Sequence, residues 1–223
     1  MINIFRIVYI LMPLTVVMAF LWAPGAEILG DTSRIIYFHV PAAWASVLSF
    51  FVAGSASIGY LFDEKNKRAR LADVSHNSCV IGMVLIVLAT VTGSIWAKMS
   101  WGSFWNWDPR ETSIIFLLLV YSAYFSLRSA LGRKERGSRI SSAYLVLAMV
   151  TVPFFVFMVP RIYPSLHPAP LINPEKKLFL EDKMRITLAF SLASFTLLYF
   201  YILVLMNRIS AIEARMVNKR NEK

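Results

Sequence analysis

Six apolar runs separated by polar connections make up most of this 223-residue chain: roughly 4–23, 41–62, 77–97, 113–130, 142–160 and 186–206. Each holds about 17 to 22 residues, against the roughly 20 that a helix needs to cross ~30 Å of hydrocarbon. Backbone N–H and C=O groups in lipid must be paired within the segment, and these runs read as helices, not as barrel strands. A soluble domain could not cover the apolar surface of a chain that is 57% hydrophobic and 16% charged. The expected fold class is an all-α integral membrane protein, with one six-helix transmembrane domain over 1–223.

Lys and Arg set the expected orientation. The connections on one side, with both chain ends, carry 15 of the 23 cations against six of the 13 acids. That side is expected to be cytoplasmic, with both termini inside. The net charge of +10 is then a topology signal, and no nucleic-acid partner is needed to explain it. The first run follows a single early arginine, as a signal peptide would, but it is longer than a typical h-region. Pro24 also spoils a small-residue cleavage pattern, so the run reads as a retained helix.

Cys79 is the single cysteine and falls inside the third apolar run. A thiol–disulfide carrier needs two thiols and covalent c-type haem attachment needs C-x-x-C-H, so both classes are excluded. Cys79 itself reads as a small core residue. The inner loops "DEKNKRAR" and "GRKERGSR" read as mixed-charge anchors, and the tail "NRISAIEARMVNKRNEK" as a continuation of the sixth helix.

The outer loops, about 24–40, 98–112 and 161–182, differ in kind. The first ends in "SRIIYFHVPAAW". The third holds "RIYPSLHPAPLINP", whose prolines at 164, 168, 170 and 174 exclude a regular helix. The second contains "WGSFWNWDPRETS", residues 101–113, with three tryptophans in its first seven positions. Trp22, Trp44 and Trp96 are accounted for by the interfacial preference of amphipathic rings. An interfacial belt is one reading of Trp101, Trp105 and Trp107 as well, although a belt spreads around the rim and does not gather in one loop. Asp108, Pro109 and Glu111 have the order of an N-cap, N1 proline and capping box, so the fourth helix is predicted to start there. If 101–105 is helical, Trp101 and Trp105 share a face flanked by Phe104 and Trp107. Lys98 and Arg110 would edge that aromatic shelf. Rings bordered by cations suit a large flat anion, held by stacking and by pairing with peripheral carboxylates. Haem has that form, with an iron that takes axial nitrogen ligands. His39 and His167 are the two outer histidines and the candidate iron ligands. His76, at the inner edge of the third helix, reads as structural.

"WGSFWNWDPRETS" resembles the tryptophan-rich WWD signature of the haem-handling proteins of cytochrome c biogenesis. "RIIYFHVPAAW" and "VTGSIWAKMSWG" are similar to the corresponding segments of the CcmC family, and "YPSLHP" places a histidine where that family has its second outer one. The resemblance implies that His39 and His167 are axial ligands to a non-covalent haem b. It implies that Trp101, Gly102, Trp105, Trp107, Asp108 and Arg110 form the WWD signature that cradles the haem. Arg34, Lys98, Arg110 and Arg161 are the candidate propionate contacts. The implied protein is a haem-binding and haem-delivery component, not an enzyme, in a bacterial cytoplasmic (inner) membrane with its site facing the periplasm or exterior. Its implied partners are a haem chaperone of the CcmE type, ABC transporter subunits of the CcmA and CcmB types, a small CcmD-type subunit and the lipid bilayer. Two departures bear on this. Phe104 stands where CcmC proteins commonly carry another Trp, and "WDPRET" resembles the "WDPKET" of the CcsA-type cytochrome c synthetases. A synthetase component is therefore the alternative. A membrane electron-transfer subunit fits less well, because its haem histidines lie mid-span, and a solute transporter less well still, because the span interiors lack ionisable residues.

Overall fold

A computed structural model describes residues 6–27, 29–63, 68–132, 134–167 and 180–221. The first residues of the first run, part of the "DEKNKRAR" loop, Arg133, and residues 168–179 with Pro168, Pro170 and Pro174 lie outside the described residues.

The described chain is helical. Helix α1, Val8–Val17, continues through a π turn, Met18–Trp22, and stops at Ala23, whose extended backbone is the conformation that a following proline imposes. A 3₁₀ turn, Asp31–Ile35, leads into α2, Ile36–Phe62. Then come α3, Arg68–Trp101, and α4, Pro109–Leu131. Helix α5, Glu135–Pro153, is prolonged by a π turn, Phe154–Met158, and a last turn, Val159–Ile162. Helix α6 spans Asp182–Asn221. Five of these stretches are long and apolar enough to cross a membrane, and Val8–Trp22 is a shorter apolar helix. The molecule is therefore a multi-pass helical membrane protein. Of the six full-length spans expected, five are of full length among the described residues.

The helices pack by short polar side chains and small residues, as membrane helices do when lipid removes the hydrophobic drive between them. Helix α2 is central and packs on α3, α5 and α6. Along α2 and α3, Ser57 Oγ lies 2.6 Å from Ser75 Oγ, and Ser78 Oγ donates to the Ser49 carbonyl at 2.7 Å. The two helices therefore run antiparallel. Thr15 Oγ1 donates to Ser194 Oγ at 3.0 Å and ties α1 to α6. The Phe50 and Tyr121 rings stack at 3.7 Å in the main core, where Cys79 is fully buried, as expected of a small core residue. His76 also has the structural role expected of it, with Nδ1 3.1 Å from the Tyr124 hydroxyl. Val84, Val87, Leu88, Val91 and Ile95 repeat at helical spacing along an exposed face of α3, the face available to lipid.

Two boundaries differ from expectation, and both matter for the site. Helix α2 begins at Ile36, not after residue 40, so His39 stands on a helix and not in a loop. Pro41 lies inside that helix, where it can offer no N–H to the carbonyl of Tyr37. Ser191 Oγ of α6 donates to that carbonyl instead, which lets the helix run through the proline. Helix α3 continues to Trp101, which shortens the tryptophan loop to residues 102–108.

Candidate functional site

The loop between α3 and α4 is held by its own hydrogen bonds. Gly102, at φ +82°, ends α3 in the left-handed conformation that a side chain disfavours, and its N–H returns to the Lys98 carbonyl at 3.1 Å. Lys98 Nζ donates to the Gly102 carbonyl at 2.8 Å and lies 5.6 Å from the centre of the Phe104 ring. Ser94 Oγ donates to the Phe104 carbonyl at 2.6 Å. At the other end, Asp108 and Glu111 form the expected capping box: the Arg110 N–H reaches Asp108 Oδ1 at 2.9 Å, and Glu111 Oε2 accepts the Asp108 N–H at 3.3 Å. Glu111 Oε2 also takes the Asn106 N–H at 2.7 Å.

The helical shelf does not form. Trp101 ends α3 while Trp105 lies in the loop, so the two share no helix face. The cause is Gly102, which breaks the helix between them. The rings fall into two groups. Trp105 and Trp107 meet edge to face at 6.1 Å. Trp101 packs instead on Trp96 at 4.8 Å and on His167 at 4.8 Å, and Trp96 lies 5.9 Å from His167. Trp96, assigned by sequence to the interfacial belt, is thus part of the site. The sequence signals for it are its place five residues before Trp101 and its position inside the "VTGSIWAKMSWG" segment that carries the family resemblance. Trp107 is 73% exposed and holds φ +56°, alone among the described non-glycine residues in having a positive φ.

Asp108 does more than cap a helix. Its carboxylate is buried and also accepts the Leu166 N–H at 2.7 Å, the Ser165 hydroxyl at 2.9 Å and His167 Nδ1 at 2.9 Å. One carboxylate therefore fixes the start of α4, the loop that follows Ile162 and the imidazole of His167. Burial alone would push the Asp108 carboxyl up, but these hydrogen bonds outweigh it and hold the group below the usual carboxylate range. For His167, burial is the largest cause and depresses the imidazole to about 4; Asp108 opposes this, and Arg110 and His39 add to it. His167 is therefore neutral at pH 7. Its Nδ1 carries the proton donated to Asp108, and Nε2 keeps its lone pair.

His39 reaches the same tautomer by a different route. Its Nδ1 lies 2.9 Å from the Ala89 carbonyl and 3.3 Å from Thr92 Oγ1. A carbonyl can only accept, and the Thr92 hydroxyl donates its own proton to the Leu88 carbonyl at 2.8 Å. Nδ1 must therefore be the protonated nitrogen, which again leaves Nε2 as the free base. His39 lies against α3 at Ala89 and Thr92, and His167 meets the Trp96 ring about one turn further along the same helix, so both imidazoles stand near the same end of α3.

The cations divide. Arg110, in the first turn of α4, lies within electrostatic reach of Asp108, His167 and Arg161. Arg161 donates from Nη1 to the Phe157 carbonyl at 2.6 Å. Arg34 closes the end of α1: its Nη1 donates to the carbonyls of Ala19 at 2.6 Å and Ala23 at 2.7 Å, and its Nε to Asp31 Oδ1 at 2.8 Å. A cleft of about 310 Å³ opens beside the loop, lined by Trp107, Asp108, Pro164 and Ser165 among others. Ser100 Oγ, next to Trp101, is buried with no hydrogen-bond partner among the described residues.

Together these features define a multi-pass helical membrane protein with a site of imidazole, indole and cationic groups at one end of its bundle. The profile of the family described as Heme exporter protein C (CcmC) matches residues 1–223. The chain belongs to that family. It is 34% identical to Heme exporter protein C of Bradyrhizobium diazoefficiens over 138 residues, 61% of this chain and 51% of the relative. It is 28% identical to the Rhodobacter capsulatus protein of that name over 192 residues, 86% of this chain and 78% of the relative. With the Escherichia coli K12 protein of the same name, identity is 33% over 139 residues, 62% and 55% of the two chains. The matched stretch thus spans about half the length of the first and third of these relatives.

Proposed function

We propose that the chain binds one haem b non-covalently between His39 and His167 and holds it for delivery during cytochrome c biogenesis. The observation that carries this reading is the matched tautomer of the two imidazoles. Each commits Nδ1–H to a protein acceptor and keeps Nε2 as a neutral lone-pair donor, the state in which histidine ligates metal. Two imidazoles are fewer than the three or four protein ligands of a zinc site. They are the number that iron already held in a porphyrin accepts on its two faces.

Trp96 and Trp101 supply edges and faces for the macrocycle around His167, and Trp105 and Trp107 line its approach. Lys98 and Arg110, with Arg161 near, are the cations for the propionates. Arg34 is assigned to holding α1 in place of a propionate contact, because its guanidinium is committed to carbonyls there. Gly102 and Asp108 act through geometry, the first by ending α3 and the second by orienting His167. Non-covalent ligation is reversible and suits a delivery component that makes no thioether bond itself.

The relatives' names place them in haem export, and the same role is proposed here. The site would lie on the outer face of a bacterial cytoplasmic membrane, with both termini inside, following the distribution of cations. Haem would pass to a CcmE-type chaperone within an assembly containing CcmA-, CcmB- and CcmD-type subunits. The test is the absorption spectrum of the purified, haem-loaded protein beside His39→Ala and His167→Ala. A low-spin spectrum lost in both variants is the expected result. A low-spin spectrum that survives either substitution removes that histidine from the iron, and a wild type that takes up no haem ends the proposal.

A further inference from the structure

We infer that Gly93 is a positioning residue for the haem site: its missing side chain forms the slot on α3 in which the His39 imidazole lies. The inference rests on the reading of His39 as an iron ligand for its purpose, but not for its geometry. A Cβ built at position 93 would stand 2.7 Å from His39 Cε1, 3.1 Å from Nδ1 and 3.6 Å from Nε2. Real side chains do not approach so closely, so any residue with a Cβ displaces the ring or one of the two helices.

Neither helix is free to retreat. Tyr37 and Pro41, two residues to either side of His39, are fully buried, and the Tyr37 carbonyl is bonded to Ser191 of α6. Ala89 and Ala97, one helical turn either side of Gly93, are also buried. The ring itself has to turn. Turning it breaks the Nδ1–H bonds to the Ala89 carbonyl and Thr92 Oγ1, the contacts that select the tautomer. Both acceptors belong to the turn of α3 that Gly93 leaves bare, so the same stretch of backbone makes the space and fixes the proton. The carbonyl of Ala89 is the normal helical partner of the Gly93 N–H and accepts the histidine as a second donor. The consequence for the site is which nitrogen stays basic: with Nδ1–H bonded to α3, Nε2 is the nitrogen that keeps its lone pair for a ligand. His167 gains the same order from Asp108, at 2.9 Å.

The experiment uses the full chain in detergent, comparing wild type with Gly93→Ala, His39→Ala and a control, Gly54→Ala. At position 54 a Cβ would meet Met149 Sδ at 2.4 Å, so the control disturbs α2–α5 packing without touching His39. Two readouts are taken. With haem bound, Gly93→Ala is expected to lose at least tenfold in haem retention and to shift from low spin toward high spin, with added imidazole restoring the low-spin spectrum. Gly54→Ala should keep the wild-type spectrum. Without haem, ¹⁵N shifts of the imidazoles should give His39 as the Nδ1–H tautomer in wild type and as a mixture in Gly93→Ala. A wild-type spectrum and an unmoved tautomer in Gly93→Ala overturn the inference. If His39→Ala leaves haem binding intact, the haem reading of His39 fails and the ¹⁵N readout alone decides the slot. If Gly93→Ala does not insert, the wild-type ¹⁵N readout decides: a His39 imidazole found as the Nε2–H tautomer, or as a mixture of the two, overturns the slot.

Discussion

Asp108→Asn isolates what the buried carboxylate contributes. In the wild type it accepts from four donors: the N–H groups of Arg110 and Leu166, the Ser165 hydroxyl and His167 Nδ1. Asparagine has one acceptor oxygen in place of two, and its amide presents donors to donors. The helix cap survives, because Asn and Asp are about equal at the N-cap. At least one buried donor in the loop that follows Ile162 is left without a partner, which costs about 1–3 kcal/mol. His167 loses the carboxylate that fixes its ring, a change that lowers metal affinity about 10–100-fold when made behind a ligating histidine. The assay is haem titration followed by absorbance, with thermal unfolding of the haem-free protein alongside. A variant with wild-type affinity and a wild-type spectrum would refute the claim that Asp108 orients a ligand.

The remaining predictions use other parts of the site. His167 takes a proton near 6.5 when exposed but near 4 in the folded chain. Between those values the unfolded state binds the extra proton. Stability therefore falls as pH drops from 6.5 toward 4, by about 3 kcal/mol in all, and the loss is complete below that range. NMR titration of the His167 ring in the haem-free protein checks this, and a midpoint above 6 contradicts the burial argument. Trp107→Gly relieves a positive φ that costs an L-residue about 1–2 kcal/mol. It should raise the unfolding temperature while weakening haem binding, and a lowered unfolding temperature would show that the exposed indole contributes to the fold. Arg34→Ala should destabilise the protein by about 2 kcal/mol through its lost charged hydrogen bonds and leave the haem affinity of the folded fraction unchanged. A selective loss of affinity would return Arg34 to the propionates.

The fold was legible because lipid makes the sequence pattern strict. A span must be apolar for about 20 residues, and the cap at Asp108 follows from local chemistry that needs no tertiary information. The ends of the spans were legible only where such local chemistry exists. Helix α2 starts several residues before its apolar run because the proline at 41, which reads as a helix boundary, is accommodated by a hydroxyl on α6. Ser191 lies 154 residues away in sequence, and no local rule points to it. Helix α1 with its π turn ends at Trp22, one residue short of the end of its apolar run, since Pro24 holds Ala23 in an extended conformation.

The site divides in the same way. Residue types were legible: two histidines, a cluster of indoles and flanking cations in the loops at one end. Their roles depend on which side chain faces which, and that is decided between elements. Asp108 reads as an N-cap because the residues that define a cap are its neighbours. Its bond to His167 spans 59 positions and joins two loops that nothing in the sequence pairs. Trp96 reads as an interfacial ring until α3 is seen to carry it to Trp101 and His167. The histidines make the point most sharply. Either nitrogen of a lone imidazole can carry the proton, and the sequence does not choose. A carbonyl on α3 chooses for His39 and a carboxylate at the start of α4 chooses for His167. The two supports differ in chemistry and in origin, yet both turn Nδ1 toward protein and leave Nε2 to a ligand. A ring held only by packing would have no reason to reach the same tautomer twice.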